Sequence, residues 1–233
     1  MFSGIVHSVR PIVDINMGTT FGTIAIDLGN ELAKGLVIGA SVSVDGVCLT
    51  VTAIDNVIAH FDVIVSTLER TNLGNVALSR LVNIERSLST NAEIGGHEVS
   101  GHVDFTGTLV RIEATDSNRC LHFKAPEFWM RYLFPHGFVA INGVSLTISD
   151  IRRESCEFTV WLIPETLRRT NLQMLQHNDT VNIEVHRGVQ VVVDTIEATV
   201  EKLLRHALKS GELDAQQLTF LQKSMLRLPG SES

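Results

Sequence analysis

Apolar and polar positions alternate in short runs along most of this chain, the pattern of half-buried β-strands rather than of helices. In the first half, residues 4–15, 22–28, 41–44, 48–54, 57–64 and 82–86 read as strands broken by turns. About six strands in so short a unit predict a small closed or nearly closed antiparallel barrel, because closure removes exposed strand edges. Residues 30–36 and 126–133 read as short helical turns across a barrel end, and 67–73 and 166–172 as a second pair of that kind. Only after residue 193 does the period change. Ile196, Val200, Leu203, Leu204 and Ala207 fall three or four apart among Glu197, Glu201, Lys202 and Arg205, which predicts an amphipathic helix over 193–208. Residues 213–228 could form another helix, and 229–233 read as disordered.

The strand pattern occurs twice. Val44-Asp45-Gly46-Val47-Cys48-Leu49-Thr50-Val51 returns as Ile141-Asn142-Gly143-Val144-Ser145-Leu146-Thr147-Ile148, and Ser3-Gly4-Ile5-Val6 as Ser100-Gly101-His102-Val103, both displaced by 97 residues. Residues 67–73 match 166–172, and 82–85 match 181–184, displaced by 99, so the second half carries two extra residues near 152–157. Four matches in one order establish an internal duplication. The implied division is a barrel over 1–97, a second over 98–190, a helix over 191–208 and a tail over 209–233. The helix has no sibling in the first half. It either lies on its own barrel or pairs with copies of itself, and the lack of a partner surface in the duplicated unit favours self-association.

Each Asp-Gly or Asn-Gly pair followed by an alternating run reads as a turn and strand. Leu49 and Val51 then face one side of the sheet and Cys48 and Thr50 the other, with Leu146 and Ile148 opposed to Ser145 and Thr147 in the second copy. A net charge of −7 argues against a nucleic-acid groove. Cys48, Cys120 and Cys156 fit neither CxxC nor any metal-ligand spacing. They read as reduced thiols of a cytoplasmic protein. No run is long enough to span a membrane, and strand-like sequence from Phe2 leaves no room for a leader.

Chemistry is harder to place. Gly95-Gly96-His97 and Ser100-Gly101-His102 form the richest polar stretch, between the barrels, and the glycines call for close backbone approach to a packed strand or a ligand. His97 and His102 lack a carboxylate-rich partner set of recognisable spacing, so a metal site is not expected there. Cys48 is either a reactive thiolate or a small half-buried side chain. Asp62 reaches the same barrel end as Cys48 and Thr50 or is an ordinary exposed strand residue. Two similar pockets in one chain suit binding the same small molecule twice. If one bound molecule reacts with the other, orientation alone supplies roughly 7–11 kcal/mol of the barrier. Cys48 against Ser145 would let the two copies play different parts.

Met1-Phe2-Ser3-Gly4-Ile5-Val6, Gly95-Gly96-His97, Ser100-Gly101-His102-Val103, the two Gly-Val-(Cys/Ser)-Leu-Thr copies and Ile163-Pro164-Glu165-Thr166-Leu167 together resemble the riboflavin synthase family, the trimeric type with two lumazine-binding domains. The resemblance spans about residues 1–208. It implies an all-β chain of two tandem six-stranded Greek-key barrels with a C-terminal helix tying a homotrimer together. It implies dismutation of two 6,7-dimethyl-8-ribityllumazine molecules to riboflavin and 5-amino-6-ribitylamino-pyrimidinedione, with no metal or redox cofactor. The site would join the first barrel of one subunit to the second barrel of its neighbour.

Carried over position by position, the first half-site would hold Gly4, Ile5, Val6, Cys48, Leu49, Thr50, Asp62, Val63, Ile64, Val65, Ser66, Thr67, Gly101, His102 and Val103. The second would hold Ser145, Leu146, Thr147, Ile163, Pro164, Glu165, Thr166 and Leu167, with His136 and Arg168 as further substrate contacts. Cys48, His102 and Ser145 are the candidates for positioning or proton transfer, since one lumazine loses a proton from its C7 methyl group and the other accepts a nucleophile at C7. His136 stands where the family commonly has Lys, His186 where an acidic residue is usual, and Val65-Ser66 replaces a more polar pair. The alternative reading is a non-catalytic paralogue resembling the lumazine proteins.

Overall fold

The computed structural model describes residues 1–18, 20–89, 93–115, 117–210 and 216–217. In the first half β1 (Ser8–Met17), β2 (Phe21–Asp27), β3 (Ser41–Val44), β4 (Val47–Asp55), β5 (Ile58–Ile64) and β6 (Leu81–Arg86) form a closed antiparallel barrel in the order β1-β2-β5-β4-β3-β6. In the second, β7 (Phe105–Ala114), β8 (Arg119–Lys124), β9 (Phe138–Ile141), β10 (Val144–Arg152), β11 (Glu157–Leu162) and β12 (Thr180–Val185) close the same ring. Three hairpin-linked strands with an earlier strand returning beside them make each a Greek key. Alternation sends Val42, Leu49, Val51, Phe61 and Val63 inward in one barrel, and Val139, Leu146, Ile148, Phe158 and Val160 in the other. Register breaks after Ile12 and Val51, and again after Leu109 and Ile148, are bulges that bend the same strands in both copies.

Three boundaries differ from the sequence reading. The first strand starts at Ser8 rather than residue 4, because the preceding residues lie against the other barrel. The strand through Asp62 ends at Ile64 as expected, but the helical turn expected over 67–73 opens two residues earlier, at Val65 and Ser66, as the helix α2 (Val65–Arg70). The C-terminal helix starts at Arg187, six residues before 193. The other short helices are α1 (Gly29–Ala33) and α3 (Pro164–Arg169), with 3-10 turns at Asn72–Asn75, Glu127–Tyr132 and Asn171–Met174. The two extra residues lie in the turn between Arg152 and Glu157, which is two residues longer than the one between Asp55 and Ile58.

Residues 1–186 form one compact unit. Inside it the two barrels meet across a buried polar seam. The Asp45-Gly46 and Asn142-Gly143 turns both hold their first residue at positive φ, 47° and 46°, and their glycines touch. A Cβ on Gly46 would lie 2.6 Å from the Gly143 nitrogen. Around them Asn72, Asn83, Asn171 and Asn182 hydrogen-bond across the seam. Asn72 N–H donates to Asn182 Oδ1 (2.7 Å) while Asn171 N–H donates to Asn83 Oδ1 (2.7 Å). Asn83 Nδ2 donates to the Asn142 carbonyl (2.9 Å) and Asn182 Nδ2 to the Asp45 carbonyl (2.8 Å). These four bonds are related two-fold, but Asp45 carries a carboxylate where Asn142 carries an amide, and Asn72 Oδ1 accepts from Asn182 Nδ2 (2.9 Å) where Asn171 Oδ1 has no partner among the described residues.

The helix α4 (Arg187–Ser210) is a unit by itself, amphipathic, with an Arg205–Glu201 pair one turn apart and no buried residue. Val191, Val192, Ile196 and Leu203 are exposed on it. The second helix expected over 213–228, and the disorder expected over 229–233, lie outside the described residues but for 216–217. No helix among the described residues is long and apolar enough to cross a membrane.

Candidate active site

Each glycine loop that opens a half sits on the other half's barrel. Gly4, before β1, accepts a hydrogen bond at its carbonyl from Ser145 N–H (2.8 Å), on β10. Gly101, before β7, accepts in the same way from Cys48 N–H (2.8 Å), on β4. The loops are joined where Phe2 and Val99 exchange backbone hydrogen bonds of 2.8 and 3.0 Å. Each loop is gripped from behind by a buried glutamate. Glu85 accepts from the Ser3 and Gly4 amides (2.6 and 3.0 Å), and Glu184 from the Ser100 and Gly101 amides (2.7 and 2.9 Å). Burial pushes the Glu85 carboxyl up, while the hydrogen bonds from Ser3 and Gly4 pull the other way.

The structure thus places the loop carrying Gly4, Ile5 and Val6 against Ser145 rather than against Cys48, with which the resemblance groups them. Gly101, His102 and Val103 do accompany Cys48, and Val103 packs against the first barrel's core. Both glycines need the left-handed backbone, φ +73° and +83°, and neither site has room for a side chain. A Cβ on Gly4 would fall 2.6 Å from Ser145 Cβ, and one on Gly101 2.6 Å from Cys48 Cβ.

The two sets then run in parallel. Cys48 and Ser145 are half-buried, Thr50 and Thr147 exposed on the same strand face. Leu49, Val63, Leu146 and Val6 are buried. Ile64 and Ile163 project outward at equivalent positions, 60% and 58% exposed, leaving an apolar shelf beside each polar pair. Asp62 accepts from Thr23 Oγ1 (3.3 Å), whereas its sibling position holds the exposed Trp161. Val65, Ser66 and Thr67 begin α2, as Pro164, Glu165 and Thr166 begin α3, with Leu167 half-buried behind them. Glu165 is tied to Arg168 and Arg169, which together hold its carboxyl below the usual range. His136 is exposed in a turn at φ +64°, where the first barrel has Gly39. His102 is exposed on the Gly101 loop, its amide donating to Ser100 Oγ (3.2 Å).

The second set holds a histidine that the site assignment omitted. Gly96 lets the linker pass over Ser145, since a Cβ there would meet Ser145 Cβ at 2.7 Å. The next residue, His97, places Nδ1 2.6 Å from Ser145 Oγ. Its ring stacks on Phe138 (centroids 5.2 Å apart, planes at 11°) and lies 5.7 Å from the His186 ring. Burial, and then the charge of His186, push the His97 pKa down to about 4. A neutral imidazole can accept the Ser145 hydroxyl proton at Nδ1 and so fix the direction of the oxygen lone pairs. The first barrel has Ser41 and Ser87 where Phe138 and His186 stand, so Cys48 lacks this aromatic surround. Gly95-Gly96 was the available signal; the contact to Ser145, 48 residues away, was not readable from spacing.

Two clefts of about 360 and 320 Å³ flank the seam, bordered by Leu68, Asn72 and Thr180 on one side and Arg80, Asn171 and Thr180 on the other; neither is lined by Cys48 or Ser145. The lumazine binding domain model matches residues 3–87 and again 100–186, the two barrels. Riboflavin synthase of Buchnera aphidicola subsp. Schizaphis graminum is 40% identical over 203 residues, covering 87% of this chain and 97% of that one. The chain belongs to the riboflavin synthase family. Riboflavin synthase of Escherichia coli (strain K12) is likewise 40% identical over 198 residues, 84% of this chain and 92% of that one. A crystal structure of LumP complexed with 6,7-dimethyl-8-(1'-D-ribityl) lumazine superposes with a TM-score of 0.73 over 80% of this chain and all of the other, at 22% identity, which shows the shared fold. Membership makes the chain a transferase-type enzyme of riboflavin biosynthesis.

Proposed function

We propose that this enzyme dismutates two molecules of 6,7-dimethyl-8-ribityllumazine to riboflavin and 5-amino-6-ribitylamino-pyrimidinedione, at a site built between the first barrel of one chain and the second barrel of a neighbour in a homotrimer. The observation that carries the reading is the paired face itself: one polar strand edge, one crossing glycine loop and one isoleucine shelf, repeated in both barrels. Two like rings held by like faces meet in a fixed orientation, which is the main source of rate available without a cofactor. Thr50, Thr147 and the backbone amides of the loops hold ring edges and ribityl hydroxyls. Ile64 and Ile163 cover the ring planes.

The faces differ where the reaction needs them to. Ser145, directed by neutral His97, attends the lumazine that is attacked at C7 or gives up its methyl proton, and Cys48 with His102 attends the other. His97 joins Cys48, His102 and Ser145 as a site residue in this reading. The three cysteines are free, which fits a cytoplasmic enzyme. The amphipathic α4, with no sibling in the repeat, supports the trimer as its packing element.

The test is riboflavin formation from the lumazine with no added cofactor, followed by mixing of two impaired chains. A Thr50 variant and a Ser145 variant, each nearly inactive, should regain activity when unfolded and refolded together. A site between chains allows one intact pair in a mixed trimer, whereas a site within one chain never recovers. Tight lumazine binding without riboflavin would instead mark a carrier and overturn the proposal.

A further inference from the structure

The outer wall of the second barrel carries a cluster that the riboflavin-forming reaction does not use. On the β7–β8 hairpin, Glu113 is paired with Cys120 and Arg111 with His122. Cys120 and His122 are buried, 3% and 4% exposed, although both point away from the barrel core that Leu121 and Phe123 fill. His122 Nε2 lies 3.2 Å from Glu113 Oε1 and 3.6 Å from Cys120 Sγ. The three candidate donor atoms all fall within 4.8 Å of one another. Zinc bonds of ordinary length at tetrahedral angles put nitrogen and oxygen about 3.4 Å apart, and nitrogen and sulfur about 3.6 Å apart. The cluster already has nearly that spacing.

We infer that Glu113, Cys120 and His122 form a site for a thiophilic divalent cation of the zinc class, three-coordinate from the protein and open at the fourth position. Burial and the Arg111 charge hold His122 below its usual pKa, so the imidazole is neutral and its lone pair available. Burial and Glu113 push the Cys120 thiol up, so the cation must displace its proton, and binding releases one proton per chain. Arg111 sets the affinity. Its Nη2 is 2.8 Å from Glu113 Oε1 and nearly equidistant from both His122 nitrogens, 3.4 and 3.3 Å. It therefore donates toward the imidazole nitrogens and must move aside before the ring can ligate a cation. It also places a positive charge beside the cation and competes for Glu113.

The duplication provides an internal control. In the first barrel the same register pairs Asn16 with Thr23 and Asp14 with Ala25, a set with neither thiol nor imidazole. The chain should thus hold one such cation, on one barrel only.

Cobalt(II) titration of the full-length reduced chain tests this directly, because tetrahedral cobalt with a thiolate ligand gives visible d–d bands and a near-ultraviolet charge-transfer band. One equivalent should bind per chain. Cys120→Ser should lose the charge-transfer band, His122→Asn should lose both, and Cys156→Ser should keep both. Glu113 is exposed, so Glu113→Gln leaves folding intact; it should weaken binding about tenfold or more, on the scale of a lost ligand-shell contact. Arg111→Gln should tighten it. Absence of any band at millimolar cobalt in the native chain would overturn the inference. So would bands that survive in Cys120→Ser and disappear in Cys156→Ser.

Discussion

The two barrels share a ring order, a bulge pattern and an exchanged glycine loop, yet they are finished by different residues. Arg86, at the end of β6, donates to the carbonyls of Leu32, Lys34 and Gly35 and so ties down the end of α1. The position equivalent to Arg86 in the second barrel is Val185. There the service is performed by Arg153, in the turn that holds the two extra residues, which donates to the carbonyls of Met130 and Leu133. The orphan carbonyls at a helix end need a donor, and one copy supplies it from a strand end, the other from a turn. Duplication has preserved the requirement while moving the residue that meets it.

The same contrast sets what should happen when the barrels are made more alike or less. Gly4 and Gly101 are siblings under equal constraint, so Gly4→Val and Gly101→Val should cost about the same, on the order of 4 kcal/mol, from left-handed strain plus overlap with Ser145 or Cys48. Urea unfolding of the two variants measures it. A large inequality would mean that the loops do not bear equivalent loads.

The seam offers a smaller effect with a pH signature. Asp45 is fully buried, one carboxylate oxygen lacks a hydrogen-bond partner among the described residues, and Arg80 Nη2 lies 3.6 Å away. Burial raises its pKa to about 6, against the hydrogen bond from Asn83 and the charge of Arg80. A carboxyl that binds its proton more tightly when folded stabilises the fold fully below its unfolded pKa, and that contribution is lost as pH rises through about 6. Asp45→Asn should therefore stabilise the chain at pH 8, by up to about 3 kcal/mol, with the gain vanishing near pH 4. Asn142→Asp, which puts a second carboxylate into the seam, should destabilise by a similar amount at pH 8. Denaturation midpoints against pH in the two variants read both signs.

His97 works in the opposite direction. Its folded pKa, about 4, lies below the unfolded value, so its contribution is present above pH 6.5 and is lost as pH falls toward 4. In the native chain the protonation of Asp45 offsets much of this over the same window. In Asp45→Asn that offset is gone, and stability should fall toward pH 4 by roughly 3 kcal/mol more than in the double variant Asp45→Asn, His97→Asn. Equal profiles in the two variants would remove His97 from the account.

Strand positions were legible because alternation is local and each run had a sibling to check it. The insertion at 152–157 was legible for the same reason, as a change of offset. The loop exchange was not, because a constant offset identifies which residues correspond and is silent about which barrel each one touches. Gly4 corresponds to Gly101 under either arrangement. His97 was noticed for its glycines and left without a partner, since its bond to Ser145 depends on how the linker folds back. Glu113, Cys120 and His122 escaped a search for spaced ligands because cross-strand pairing, rather than sequence separation, brings them together.

The crossing of the loops bears on lineage. A single ancestral barrel, with its leading segment reaching outward, would have left that segment without a strand edge to rest on and its own edge bare. Two identical copies could satisfy each other reciprocally. Fusion of their genes would then have joined two halves that already depended on one another. Afterwards Cys48 and Ser145, or Asp45 and Asn142, were free to diverge, because each position needed to serve only one side of a former symmetry.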